Sequence, residues 1–205
     1  MYNCIFTAHC TEQFCDKSCP TLVETSYLLE RNGIEMDDPI FAVSDDVLKK
    51  FSNILDEYDG KVYTSLVSGS RYTTAQVADI ITYVAICKNW RGSRLHCTVY
   101  NLRFSKYLDE LKKSWSAKSE PETLEYMRIF SESAKVLIIS NLDYVNFGDF
   151  ESQTMLNLLQ ERQSREFTTI LVSPPINQLV STKGSVFFNR LKSILADSVK
   201  AASLW

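Results

Sequence analysis

Residues 134–148 read AKVLIISNLDYVNFG, and the fold turns on them. Val136 to Ile139 are four apolar residues in a row, closed by Ser140 and Asn141. A short unbroken apolar run of this kind is the pattern of a strand buried on both faces, as in a parallel sheet. Outward from it, the same alternation of run and helical spacing recurs. KVYTSLVSG (61–69), LHCTVYNL (95–102) and FTTILVS (167–173) read as further strands. TTAQVADIITYVAICKNW (73–90), SKYLDELKKSW (105–115), EPETLEYMRIFSESA (120–134) and DFESQTMLNLLQERQS (149–164) read as the helices between them. A last helix is predicted over GSVFFNRLKSILADSVKAASLW (184–205). Strands alternating with helices predict an α/β domain, a parallel sheet with helices on both faces, over residues 61–205.

Ahead of it, PTLVETSYLLERNGI (20–34) carries apolar residues at helical spacing between a proline and an Asn-Gly stop. SDDVLKKFSNILDEYDG (44–60) predicts a second amphipathic helix, with Ser44 as N-cap and Gly60 as stop. Residues 21–60 therefore form a helical linker. Residues 1–20 form a small module of their own, set apart by cysteine content.

Cys4, Cys10, Cys15 and Cys19 fall in the first 20 residues, with His9 among them. A dense thiol cluster in a reducing compartment points to metal more than to disulfides. Zinc takes four S or N ligands, and a segment too short for its own core gains folding energy from such a site. The four cysteines are the candidate zinc ligands, with His9 replacing one of them as the variant. Free thiols in a small hairpin and an iron–sulfur cluster are the alternatives. Cys87 and Cys97 sit in apolar contexts and read as core thiols, and His96 as a strand-edge histidine.

The net charge of −3 is unevenly spread. Residues 1–60 hold four Lys/Arg against twelve Asp/Glu, and residues 61–205 hold eighteen against thirteen, so −8 and +5 sum to −3. In the basic part, Lys88, Arg91, Arg94, Arg103, Lys106, Lys112, Lys113 and Lys118 are interleaved with aromatics. They form a candidate nucleic-acid patch, or a set of solvated helix faces. No apolar run approaches the ~20 residues of a membrane span, and MYNCIFTAHC lacks the layout of a signal peptide, so a cytoplasmic protein without a membrane partner is expected.

The order of these features over roughly residues 61–195 resembles the AAA+ proteins of the DnaC/DnaI/IstB type, bacterial helicase loaders and transposition accessory ATPases. In the gram-positive loaders of this group a cysteine-rich zinc module that binds the helicase precedes the core, which the first 20 residues resemble with different spacing. The resemblance implies a P-loop after the first strand. That loop, VSGSRYTTAQVAD, keeps Gly69, Ser70, Thr73 and Thr74 but has no lysine between Lys61 and Lys88, leaving Arg71 as its only cation. A phosphate cradle needs that lysine for the β/γ oxygens. Weak anion binding at the helix start stays open.

The strand 136–139 falls where the family carries two carboxylates that hold magnesium and orient water; here they are Ser140 and Asn141. Asp143 stands beyond the strand and does not match the metal position. The next strand ends Ser173-Pro174-Pro175 instead of in the family's polar sensor. Arg190, in FFNRL, falls at the arginine-finger position, with a structural salt bridge as its other reading.

Three motifs eroded in register predict a retained scaffold that has lost hydrolysis: a pseudo-ATPase, not an enzyme, with ATP binding absent or weak. The function expected is a non-catalytic interaction protein acting on a replicative helicase, a loader or another host ATPase complex, in a core without the C-terminal lid. The alternatives are a nucleic-acid-binding accessory using the 88–118 patch, and a phage or mobile-element inhibitor of a host replication or defence complex.

Overall fold

The computed structural model describes residues 20–35, 63–67, 73–89, 99–117, 121–173 and 202–203. The cysteine module, the second linker helix, Gly69, Ser70, Arg71, Arg91, Arg94, Lys118 and Arg190 lie outside the described residues. In chain order the elements are α1 (Pro20–Arg31), β1 (Tyr63–Val67), α2 (Thr74–Asn89), β2 (Val99–Arg103), α3 (Phe104–Ser114), α4 (Glu122–Ser133), β3 (Val136–Ser140), α5 (Asp149–Ser164), β4 (Thr168–Ser173) and β5 (Ala202–Ser203).

The strands form one parallel sheet in the order β2-β3-β4-β1-β5. β2, β3 and β4 lie side by side, in register at Tyr100↔Leu137 and Leu137↔Thr169, with β4 between β3 and β1. The chain leaves β1, crosses β4 and β3 by way of α2 to reach β2, and then returns strand by strand. Right-handed crossovers that run in opposite directions along a sheet put their helices on opposite faces. The packing agrees. Tyr100, Leu102, Leu137, Ile139 and Leu171 face α3, α4 and α5, where Tyr107, Leu124, Met127, Met155 and Leu159 complete a buried cluster. On the other face α2 packs against β2, β3 and β4 through an almost wholly apolar stretch, and α1 packs on α2.

The predicted helix over 184–205 needs correction at its end: Ala202 and Ser203 pair in parallel with Leu66 and Val67. The row of unpaired groups on the outer side of β1 offers these two residues ladder hydrogen bonds that compete with a last helical turn.

Two helix ends are closed by the same hydrogen-bond pattern, with different residues at the left-handed position. In α1, Gly33 (φ +71°) donates to Glu30 O and Ile34 to Leu29 O, so a glycine takes the conformation that suits it. In α5, Glu166 (φ +54°) donates to Gln163 O and Phe167 to Arg162 O. A glutamate there carries a Cβ penalty that glycine escapes. Glu166→Gly is expected to stabilise the fold by about 0.5–1 kcal/mol in chemical denaturation. A loss of stability would show that the left-handed turn is not strained.

Tyr100 lies under α4 with its phenol buried, which pushes its pKa up to about 12; the neighbouring Tyr126 adds to the rise and Arg31 opposes it. Both folded and unfolded states hold the proton below the unfolded value of about 10. Stability from this group is therefore complete below pH ~10 and is lost as pH rises toward 12. Wild type should lose stability over that window, and Tyr100→Phe should lose less. Equal alkaline curves for the two would refute the assignment.

Candidate functional site at the carboxyl edge of the sheet

In an open parallel sheet, binding sites form outside the carboxyl ends of the strands where successive connections diverge to opposite faces. Here that place lies beyond β1, β4 and β3. Thr73 and Thr74 come to it from the start of α2, Asn141 to Asp143 from the exit of β3, and Ser173 from the end of β4.

The start of α2 is closed by its own side chains. Thr73 Oγ1 accepts from the Gln76 amide at 3.2 Å, and the Thr73 amide donates to Gln76 Oε1 at 3.0 Å. This reciprocal pair is a capping box, T-x-x-Q, and it consumes two of the groups with which a helix start binds an anion. One residue on, Thr74 is buried and its hydroxyl donates to Asp143 Oδ1 at 3.1 Å. A carboxylate thus already sits beside the positive end of α2, where negative charge is favoured.

Asp143 stands past the end of β3, away from the metal position that the resemblance implies. The chain turns sharply there: Asn141 takes the left-handed conformation (φ +61°), which Asn tolerates better than most residues. That turn brings the loop back over the sheet edge and the Asp143 carboxylate onto α2. The spacing alone gave no sign of it.

Ser140 and Asn141 hold neither of the carboxylates that the resemblance implies. Ser140 is buried, and its hydroxyl donates over a long 3.5 Å to Asn101 Oδ1 in β2. Asn101 is the hub of a polar network on the α2 face. Its Nδ2 donates to Asp79 of α2 at 2.8 Å, and Asp79 lies 3.7 Å from Arg103. The Asn141 Oδ1 is buried without a hydrogen-bond partner among the described residues.

The described basic residues are largely matched by acids. Lys112 meets Glu151 at 2.8 Å, Lys113 meets Glu110 at 2.7 Å, and Arg103 meets Asp79. Glu151 also accepts from the Gly148 amide, and the Lys112 ammonium, ahead of that backbone bond, holds its carboxyl below the usual range. Lys106 is exposed and makes no ion pair among the described residues. Lys88 lies in α2. Exposed pairs of this kind contribute little stability, about 0–1 kcal/mol each, but they cancel local positive charge.

Among the described residues no three His, Cys, Asp or Glu side chains converge as a metal site, and no helix is long and apolar enough to cross a membrane. No protein-family model, curated protein or solved structure matches the chain.

Proposed function

We propose that this chain is a non-catalytic, AAA+-like interaction module of the helicase-loader type, acting on a replicative helicase, a loader or another ATPase complex. The observation that carries the reading is the closed start of α2. Thr73 and Gln76 cap each other, Thr74 is tied to Asp143, and the strand beside them ends in Ser140 and Asn141. A phosphate approaching there meets a carboxylate and spent N–H groups. The hydroxyl at 140 is already turned to Asn101. Hydrolysis needs groups that neutralise the γ-phosphate and orient water, and the described side chains at this edge supply a scaffold instead.

Support from the fold is coarser. A parallel sheet with helices on both faces is the architecture such a module requires, and many unrelated functions use it. A zinc-bearing module at Cys4, Cys10, Cys15 and Cys19, with His9 as variant, belongs to the same proposal as the contact through which a helicase is held. Nucleic-acid binding through the 88–118 patch is the weaker reading, because three of its four basic side chains that the structure describes face carboxylates.

The test is co-elution of the full chain with a purified replicative helicase, and separately with its loader, followed by light scattering without nucleotide. A complex with either is expected. Failure with both, at micromolar concentrations of each, would remove the replication assignment.

A further inference from the structure

We propose that α1 is a latch that closes the outer edge of the sheet and opens as a unit, independently of the β3–β4 core. The proposal does not depend on the functional reading above.

Among the described residues β2 is an edge strand, with β3 on one side and no strand on the other. An open edge presents a row of unpaired N–H and C=O groups. Here the outward-facing Asn101 amide is covered by a side chain: it donates to Asn32 Oδ1 at 2.8 Å. Asn32 follows directly on α1, is buried, and is held by its own Nδ2 donating to Leu28 O at 2.8 Å. One residue earlier, Arg31 reaches the other way into a group of rings. Its guanidinium carbon lies 3.5 Å from the Phe130 ring centre and 5.4 Å from that of Tyr126, and its Nε donates to Tyr126 Oη at 2.5 Å. Tyr100 of β2 stands behind them, 5.7 Å from Phe130. The two side chains at the end of α1 therefore hold both the edge backbone and the aromatic cluster beside it.

That closure is incomplete. Thr25 Oγ1 and Arg31 Nη2, both on α1, are buried with no hydrogen-bond partner among the described residues. Each regains water when α1 lifts, which offsets part of what is lost with the Arg31 and Asn32 contacts. Inside the sheet, β3 is paired on both sides and its residues 137–140 are buried; the unpaired Asn141 Oδ1 lies past its end, so opening β3 would break two ladders. An element at the margin of the sheet that carries unpaired polar atoms is where sub-global opening is expected. Opening bares the β2 edge and vacates the ring cluster together.

Native-state hydrogen exchange on the full chain tests this. The Ile34 and Asn101 amides should share one opening free energy, below that of Ile138 and Ile170. Arg31→Ala, which deletes a cation–π contact and a hydrogen bond, should speed both by about ten-fold while Ile138 and Ile170 change little. Asn101 exchanging together with Ile138 in the wild type would overturn the proposal, as would an equal acceleration at all four positions. The wild-type comparison decides alone if the variant does not fold.

Discussion

Arg162→Met lowers the unfolding free energy by about 3–4 kcal/mol, the largest single effect expected in this chain. Arg162 is completely buried in α5, and its guanidinium bonds to two other elements, α4 and β4. Nε donates to Thr169 Oγ1 at 2.6 Å, Nη1 to Ser131 O at 2.8 Å and Nη2 to Thr168 O at 2.7 Å. The planar fork thereby joins the end of α4 to the first residues of β4. Methionine keeps much of the volume but leaves these acceptors without their donor, and each buried unsatisfied group costs about 1–3 kcal/mol. Lysine retains the charge and can serve only part of the set, so Arg162→Lys should fall between the two. Urea denaturation with an unchanged m-value reads the difference. A loss below about 1 kcal/mol for the methionine variant would mean that the guanidinium is not the clamp between α4 and β4.

Asn101→Leu is the second large effect, about 2–3 kcal/mol, because it removes an amide that serves two neighbours on the α2 face. Asp79 loses a donor at 2.8 Å and Ser140 loses its acceptor. The backbone bond to Asn32 stays, which separates this network from the latch on the sheet edge. Asn101→Asp should be worse, since it sets a second carboxylate against Asp79 in a buried place. The order wild type, Leu, Asp in denaturation midpoint is the expected result. An aspartate variant as stable as wild type would show that Asp79 does not feel this position.

What could be read from the sequence follows the range of the interactions. The strands 136–140 and 168–173 were legible because their apolar runs are continuous, and α5 because Asp149 and Ser164 bound a clear helical stretch. Asn32-Gly33 was legible as a helix stop, since the left-handed glycine is a local requirement. The second role of Asn32, on a strand 69 residues away, left no local trace. Asp143 is the same case: its carboxylate meets Thr74 across 69 residues, and only the left-handed turn at Asn141 makes that possible. Arg162 looked like one more charge on a helix face, because nothing in its neighbours shows which residues cover it. The T-x-x-Q box at Thr73 and Gln76 could have been found from spacing. The same hydroxyls suit a phosphate ligand and a cap, and residue type alone does not separate the two uses.

The charge pattern illustrates the opposite error. Lys112 and Lys113 stand out in the sequence as a basic pair, yet each lies against a glutamate, one of them on a different helix. Local charge counting cannot see Glu151 opposite Lys112, since 39 residues separate them in the chain.

On the function proposed above, the carboxyl edge is a scaffold without nucleotide chemistry. Isothermal titration of the 205-residue chain with ATP and magnesium, with turnover followed on the same sample, tests it most directly. No heat up to millimolar ATP and no phosphate release is the result expected from a capped α2, a Thr74 tied to Asp143, and Ser140 and Asn141 in place of carboxylates. Micromolar binding that is lost in Thr74→Ala would contradict it, and would make the chain a nucleotide-responsive switch.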